Sequence, residues 1–169
     1  MLKQMGRWRP PSPKSSSYIT PEGFQRLGKE LNNLWGRRTE VTRALSVAAA
    51  EGDRSENAEY IYRKKELRQI DARIRYLQIR IPGLKVVSQT GDKTRVFFGA
   101  VVTMENEDGE QSMYRIVGAD EFDHRDYYIS VDSPMGKALL GKSPGDEVIV
   151  RTGEYTRHYF ITAIEYNPE

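Results

Sequence analysis

Two stretches of this sequence repeat apolar residues at alternating steps of three and four, and a short polar break separates them. The first stretch places its apolar residues at Phe24, Leu27, Leu31, Leu34, Val41, Leu45 and Ala48. The second places them at Tyr60, Leu67, Ile70, Ile74, Leu77 and Ile81. This spacing is typical of the seam of a coiled coil. Thr20-Pro21-Glu22 favours a helix start before the first stretch, and Pro82-Gly83 favours an end after the second.

Two such helices joined by a short turn are expected to pack against each other as an antiparallel hairpin. Arms of roughly 27 to 30 residues would each extend about 40–45 Å, at about 1.5 Å per residue. Residues 52–57 would then form the tip of the hairpin. Arg38 and Arg63 occupy seam positions, where they either extend past the apolar contact into solvent or define the register of the two helices.

The second half of the chain changes to a strand pattern. Strands are predicted over residues 95–104, 112–117, 127–131, 145–150 and 159–164, with an Asp-Gly turn between the first two. Residues 133–140 are predicted to form a short helix, with Ser133 as its N-cap and Pro134 in its first position. The expected fold class is therefore α+β: an antiparallel coiled-coil hairpin followed by a small antiparallel β domain with one short helix.

Charge and composition divide the chain in the same way. Residues 1–82 carry 17 Lys and Arg against 9 Asp and Glu, a net charge of +8, whereas residues 83–169 carry 9 against 15, a net charge of −6. The positive half favours polyanions such as nucleic acid. The chain has no cysteine, which excludes disulfides and thiolate metal sites and fits a reducing, cytoplasmic location. No apolar run approaches the roughly 18 residues of a membrane span, so no membrane partner is expected.

The predicted tip, Gly52-Asp53-Arg54-Ser55-Glu56-Asn57, carries two carboxylates three residues apart. One interpretation is that Asp53 and Glu56 bind a divalent ion such as Mg²⁺, which prefers oxygen ligands and commonly takes one or two protein carboxylates. Two exposed acids can only complete a site that a partner supplies. The other interpretation is a capping box with Asp53 as the N-cap and Glu56 in the third helical position, or with Ser55 as the N-cap instead. The spacing alone does not decide between them.

Residues 61–80, here called the basic arm, have a net charge of +5 and lie next to the tip. Their charged residues are Arg63, Lys64, Lys65, Arg68, Arg73, Arg75 and Arg80 against Glu66 and Asp71. The basic arm is either an RNA-binding surface, centred on the cations nearest the tip, or the solvated face of a coiled coil. Tyr60 and Tyr62 adjoin these cations and are placed to stack on unpaired bases.

The tip string Gly-Asp-Arg-Ser-Glu-Asn-Ala-Glu-Tyr (52–60), set between two heptad arms, resembles the signature of the bacterial Gre transcript-cleavage factors, which are transcription elongation factors. The next string, Ile-Tyr-Arg-Lys-Lys-Glu-Leu-Arg (61–68), resembles the GreB branch of that family. Strings in the second half match the family as well, at residues 96–100, 129–135 and 163–166. The resemblance covers nearly the whole chain outside residues 1–17, whose basic, Pro- and Ser-rich composition predicts a disordered tail.

The resemblance implies that residues 83–169 form an FKBP-like domain, which docks on the rim of the secondary channel of bacterial RNA polymerase. The docking residues would be Asp132, Ser133 and Pro134. The hairpin, residues 18–82, would enter the channel and bring Asp53 and Glu56 to the active centre. There the two carboxylates would hold Mg²⁺ jointly with the polymerase, although the isolated chain would bind none. The polymerase would then cleave the 3′ end of backtracked nascent RNA.

The same resemblance implies a monomer that is not itself an enzyme and that stimulates RNA hydrolysis by the polymerase. Its contacts with the extruded RNA would come from Tyr60, Arg63, Lys64, Lys65 and Arg68. One alternative is a Gre-like regulator that occupies the channel without promoting cleavage. Another is a coiled-coil RNA-binding protein without polymerase contact. The presence of both tip acids favours cleavage over the first alternative, and the family strings of the second half argue against the second.

Overall fold

The chain divides into two compact units. The computed structural model describes residues 9–12, 14–54, 57–88 and 91–166. One unit runs from Phe24 to Leu84, and the other joins the segment that ends at Gly23 to the chain from Lys85 onward. The predicted limits of the hairpin, 18–82, therefore differ from those of the helical unit, because the first residues of the predicted hairpin belong with the β domain.

Hydrogen bonds hold the segment before Gly23 to the rest of its own unit, the β domain. The amide of Ser16 donates to Asp132 Oδ2 at 2.8 Å, and the amide of Lys85 donates to the carbonyl of Ser17 at 2.9 Å. Tyr18–Ile19 (β1) then pairs in parallel with Lys85–Val86 (β2). The predicted disordered tail, residues 1–17, therefore includes at its end residues that are hydrogen-bonded to the β domain.

The helical unit is built from two long helices. Pro21–Ala50 (α1) has 30 residues and Ala58–Arg80 (α2) has 23, and a 3₁₀ turn at Ile81–Gly83 follows. Thr20 is the N-cap of α1 as predicted, since its Oγ1 accepts from the amide of Gly23 at 3.1 Å. The apolar seams meet in a cluster of buried and half-buried side chains: Val41, Ile70, Ile74, Leu31, Leu34 and Leu67. The predicted helical hairpin is confirmed.

Ion pairs between the two helices define their register. They are Glu30–Arg73 at 2.6 Å, Arg37–Glu66 at 2.5 Å and Arg38–Asp71 at 2.7 Å. Early residues of α1 pair with late residues of α2, as an antiparallel arrangement requires. Such partly exposed pairs contribute about 1 kcal/mol each, but sliding one helix by a turn would break them. The seam residue Arg38 therefore helps to set the register of the hairpin.

The β domain contains a mixed sheet and one short helix. In chain order the elements are Val101–Asn106 (β3), Gln111–Val117 (β4), Tyr128–Ser130 (β5), Pro134–Leu139 (α3), Glu147–Thr152 (β6) and Tyr155–Glu165 (β7). In the described part of the chain, the sheet has the order β5-β4-β3-β7-β6. The core between the sheet and α3 includes Val102, Met104, Ile116, Leu139, Val148 and Ile161. The predicted α+β class is confirmed.

The sheet was predicted to be antiparallel throughout, but β5 runs parallel to β4. The connection between the two strands, residues 118–127, consists of successive turns. A tight hairpin turn would reverse the chain direction, whereas this longer connection crosses over and returns in the same direction.

The first predicted strand is shorter than expected, since β3 begins at Val101 and not at residue 95. Gly99 has a φ of 88°, a left-handed conformation that interrupts extended backbone. Val96 is buried, and its backbone pairs with residues 141 and 142 instead of a neighbouring strand. The Val96 carbonyl accepts from the amide of Gly141, and the Val96 amide donates to the carbonyl of Lys142, both at 2.8 Å. The apolar alternation before Val101 therefore reflects a buried loop.

Glu121 is a buried carboxylate, 2% exposed, that anchors the start of α1. Its Oε2 accepts from the amides of Thr20 at 3.0 Å and Gly118 at 2.9 Å, and its Oε1 accepts from the Thr20 hydroxyl. A Cβ atom added at Gly23 would lie 1.9 Å from Glu121 Oε1, so only glycine permits this close approach. These contacts hold the Thr20 cap against the loop that follows β4.

Arg115 is a buried cation beside the same helix start. Its guanidinium donates to the Gly99 carbonyl at 3.2 Å and to the Tyr128 hydroxyl at 3.0 Å, and it lies 3.6 Å from Glu22. Burial raises the pKa of Glu22, but hydrogen bonds from its own amide and from Thr20, together with the Arg115 charge, outweigh burial and lower that pKa. Glu22 therefore stays ionised at neutral pH and complements the positive end of the α1 dipole.

Candidate functional site

The tip of the hairpin connects Ala50, the last residue of α1, to Ala58, the first residue of α2. Gly52 has a φ of 125°, which residues with a side chain rarely adopt, and it allows the chain to turn at the end of α1. Asp53 follows directly and is exposed. Its predicted partner Glu56 and the neighbouring Ser55 lie outside the described residues.

The N-cap of α2 is Asn57. Its backbone is extended, with φ −83° and ψ 100°, and its Oδ1 accepts from the amide of Tyr60 at 3.0 Å. An N-cap stands next to the first helical residue, which here is Ala58. The predicted capping box, with Asp53 as N-cap or Ser55 in its place, is therefore wrong.

Asn57 also makes a second hydrogen bond, which closes the tip. Its Nδ2 donates to the carbonyl of Ala48 at 2.8 Å, in the last turn of α1. The last four carbonyls of a helix lack a partner amide within the helix, and the Ala48 carbonyl is one of them. It also accepts from the amide of Glu51, just after α1, at 3.2 Å. Asparagine is a preferred N-cap, so its position before Ala58 and Glu59 could have indicated the start of α2. The prediction used the spacing of the two tip acids instead and therefore named Asp53.

The cations of the basic arm differ in their surroundings. Those exposed near the tip are Lys64, Lys65 and Arg68. Arg63, in contrast, lies 2.8 Å from a carboxylate oxygen of Glu59 and 3.0 Å from one of Glu66. The hydrogen bond to Glu59, and after it the one to Glu66, raises the pKa of Arg63 above its usual value. Two carboxylates thus oppose the charge of Arg63, which weakens its attraction for phosphate.

The two tyrosines beside the basic arm present different surfaces. Cζ of Arg54 lies 5.8 Å and Nζ of Lys64 lies 5.7 Å from the ring centroid of Tyr60, so cations already contact that ring. Tyr62 is 59% exposed, with Arg63 at 5.5 Å from its ring centroid. Tyr62 therefore has the more accessible ring for stacking on a base.

The three predicted docking residues lie together at the start of α3. Asp132 accepts from the amide of Ser16, as described above. Ser133 is the N-cap of α3 as predicted, and its Oγ accepts from the amide of Gly136 at 3.0 Å. Pro134 occupies the first helical position and is exposed. Asp132 and Ser133 therefore have structural roles inside the β domain, whereas Pro134 faces solvent.

A groove of about 240 Å³ adjoins Pro134 in the β domain. Its walls include Tyr114, Ile129, Met135, Val150, Arg157 and Tyr159. These residues come from β4, β5, α3, β6 and β7 and converge only in the folded domain, so the sequence pattern does not predict the groove. Its mostly apolar lining, with a cation at one side, suits a protein side chain.

The described residues contain no group of three or more His, Cys, Asp and Glu side chains arranged to hold a metal ion. Asp53 offers carboxylate oxygens at the tip, and within the described ranges no further side chains complete such a group around it. Among the helices in the described ranges, none combines the length and the apolar character needed to cross a membrane.

Comparison with known families identifies both parts of this architecture. Residues 17–86 match the family described as transcription elongation factor, N-terminal, and residues 91–166 match transcription elongation factor, GreA/GreB, C-term. The hairpin and the β domain together therefore define a transcription elongation factor. The chain belongs to the GreA/GreB family, as the tip string predicts.

Individual relatives narrow the assignment to one branch of that family. A transcription elongation factor GreB of Pseudomonas aeruginosa is 55% identical over 166 residues, which cover 97% of this chain and 99% of the relative. Another GreB, of Xanthomonas axonopodis pv. citri, is 51% identical over 165 residues, which cover 96% of this chain and 98% of the relative. Among solved structures, GreA factor homolog 1 of Thermus thermophilus is 28% identical, with a TM-score of 0.40. The match covers 88% of this chain and 97% of that structure. The two GreB relatives confirm the predicted GreB type.

Proposed function

We propose that this chain binds bacterial RNA polymerase, inserts its hairpin into the secondary channel and stimulates cleavage of the 3′ end of backtracked nascent RNA. Asp53 and Glu56 would supply carboxylates to a Mg²⁺ ion held jointly with the polymerase. The observation that carries the proposal is the exposed position of Asp53 at the tip while Asn57 caps α2. Asn57, and not Asp53, is the N-cap of α2.

The tip suits a shared magnesium site better than a self-contained one. Mg²⁺ keeps several water ligands and commonly takes one or two protein carboxylates. Asp53 and Glu56 would provide such oxygens, and the remaining protein ligands would come from the polymerase. When bound, Mg²⁺ would lower the pKa of a coordinated water and offset the negative charge of the phosphate.

The proposed reaction is hydrolysis of a phosphodiester bond by the polymerase. A water oxygen bonds to phosphorus, the bond from phosphorus to the upstream 3′ oxygen breaks, and that oxygen takes up a proton. The upstream RNA regains a 3′ hydroxyl, and the released fragment carries a 5′ phosphate. Asp53 would act by orienting the attacking water and by contributing negative charge to the ion site.

The direct test is a cleavage assay on a stalled, backtracked elongation complex with Mg²⁺. Rapid release of short 3′ fragments after addition of this protein is the expected result. Binding without release would support the alternative of a regulator that occupies the channel. A chain that does not bind the polymerase would overturn the proposal as a whole.

The extruded RNA would lie along the basic arm. Among the predicted contacts, Tyr60 is half-buried and the charge of Arg63 is opposed by two carboxylates. We therefore assign the phosphates chiefly to the exposed cations Lys64, Lys65 and Arg68. These exposed cations would release counterions on binding, which makes the contact sensitive to salt.

Replacing Lys64, Lys65 and Arg68 together by Gln is expected to raise the factor concentration for half-maximal cleavage by about tenfold on complexes with long extruded RNA. The salt dependence of that concentration should also become shallower. Titrations of cleavage rate at two salt concentrations measure both effects.

Arg68→Gln and Arg63→Gln form a matched pair for this prediction, because they remove the same charged group from the same helix. We expect the larger defect for Arg68→Gln, since the charge of Arg63 is opposed by Glu59 and Glu66. Equal defects would show that the ion pairs of Arg63 do not keep it from RNA.

The β domain would dock on the polymerase through the surface around Pro134. The adjoining groove could accept an apolar side chain of the partner. The net charge of −6 over residues 83–169 would complement a basic rim and keep this half away from nucleic acid.

Asp132→Asn is expected to lower polymerase affinity by about five- to tenfold, because it removes a charge from the docking surface. The Asn side chain keeps an oxygen that can accept from the Ser16 amide, so the melting temperature should stay unchanged. Asp132→Ala removes the charge and that acceptor together, and it should lower affinity and melting temperature. Wild-type affinity of Asp132→Asn in a fluorescence titration would restrict Asp132 to its structural role.

A further inference from the structure

We propose that Asn57 is a positioning residue, which holds Asp53 in place by connecting the two helices across the tip. The catalytic part of this inference rests on the proposed cleavage function. One side-chain amide makes both contacts: Oδ1 accepts from the Tyr60 amide at 3.0 Å, and Nδ2 donates to the Ala48 carbonyl at 2.8 Å. The first contact caps α2, and the second ties it to α1.

The two partners determine the orientation of the amide. A backbone N–H requires an acceptor and a carbonyl requires a donor, so only an amide turned this way satisfies both. A carboxylate in this position has no donor for Ala48. Serine is also a good cap, but it is too short to reach both partners. Asparagine is therefore suited to both contacts in a way that other good N-caps are not.

The apolar side chains at this end of the hairpin are small or half-buried. In the described part of the hairpin, the buried apolar cluster extends along α1 to Val41, about two helical turns before Ala48, and the seam residue Leu45 between them is half-buried. Ala48 itself is buried but has a small side chain. Without the amide of Asn57, its carbonyl would keep, among the bonds within the described ranges, the longer one from the Glu51 amide at 3.2 Å. The hydrogen bond from Asn57 is therefore a direct polar link between the two helix ends.

Closure at Ala48 and Asn57 restricts the residues between them, including Gly52 and Asp53. Glycine has wide conformational freedom, so loss of the Asn57–Ala48 bond would widen the range of positions that Asp53 samples through rotation at Gly52. Displacement of a catalytic group by about 1 Å can cost about 100-fold in rate. Asn57 would thus act on catalysis through the position of Asp53 and not through contact with RNA or metal.

The test compares Asn57→Ser and Asn57→Asp with the wild type and with Asn57→Ala. Ser and Asp retain an acceptor for the Tyr60 amide but lose the link to Ala48, whereas Ala loses both. For Ser and Asp we expect a melting temperature closer to that of the wild type than in Asn57→Ala, and an unchanged factor concentration for half-maximal cleavage. Their maximal cleavage rate should fall about tenfold, and the Mg²⁺ concentration for half-maximal rate should rise.

A purely structural capping role predicts the opposite, namely rescue by Ser and Asp. Wild-type maximal rates and Mg²⁺ dependence in these two variants would overturn the proposal. A second readout needs no polymerase: the NMR order parameter of the Asp53 amide in the isolated chain should fall below about 0.6 in Asn57→Ser. An unchanged order parameter would also overturn the positioning role. If the wild type stimulates no cleavage, the proposed function fails, and the order parameter still decides whether Asn57 holds the tip.

Discussion

Asp53→Asn is expected to reduce the maximal rate of stimulated RNA cleavage by about 100-fold or more, while polymerase affinity stays within about twofold of the wild type. The substitution keeps the size of the side chain but removes the negative charge that attracts a divalent cation. Because α2 is capped by Asn57 and Asp53 is exposed, folding should not suffer. Single-turnover cleavage at saturating factor measures the rate, and a binding titration measures affinity.

Glu51→Gln is the matched control for Asp53→Asn. It removes one negative charge from an exposed side chain two residues away, beside the end of α1. We expect its cleavage rate to stay within about threefold of the wild type. A comparable loss in both variants would attribute the effect to the overall charge of the tip, and a wild-type rate for Asp53→Asn would remove the catalytic assignment.

Glu121→Ala is expected to lower the unfolding free energy of the β domain by about 2–4 kcal/mol. The carboxylate accepts from the amides of Thr20 and Gly118 and from the Thr20 hydroxyl, all in a buried setting. Removing it leaves these donors without partners in a space from which water is largely excluded. Urea denaturation, followed by a probe placed in the β domain, measures the change.

Glu121→Gln separates hydrogen bonding from charge at the same position. The amide oxygen can still accept from the two backbone N–H groups, and the amide nitrogen can donate to the Thr20 hydroxyl. We therefore expect Glu121→Gln to lower the unfolding free energy of the β domain by less than about 1 kcal/mol. If Gln destabilised the domain as much as Ala, the negative charge itself would be required at the start of α1.

The two helices and their antiparallel pairing were predictable because the responsible signals are local. Apolar residues at alternating steps of three and four define one face of a helix, whatever the rest of the chain does. The caps Thr20 and Ser133 were predictable for the same reason, since a cap bonds to an amide within the next turn. Strand positions in the second half were predictable apart from their limits, but the direction of β5 depends on how residues 118–127 cross over.

At the candidate site, the sequence pattern predicted the tip and its exposed acid but not the residue that closes it. Asp53 and Asn57 are both good N-caps by type, and only the position where α2 begins distinguishes them. The link from Asn57 to Ala48 joins residues on different helices, so no local pattern encodes it. Ion pairing of Arg63 is different, because Glu59 and Glu66 lie four and three residues away on the same helix, and the sequence already shows that spacing.

Periodicity, charge and the tip string were thus sufficient, without any structure, to predict the hairpin, the two-part organisation and the family. Each of these depends on residues close together in the chain, whose preferences add up over many positions. The bond from Asn57 to Ala48 on the other helix, the buried Glu121 that binds Thr20 from 101 residues away, and the parallel β5 became evident only in the folded chain. Each of them requires a polar group or a strand to find a partner that the sequence does not place nearby. The free energy of such contacts exists only once the surrounding fold has removed water and fixed the geometry.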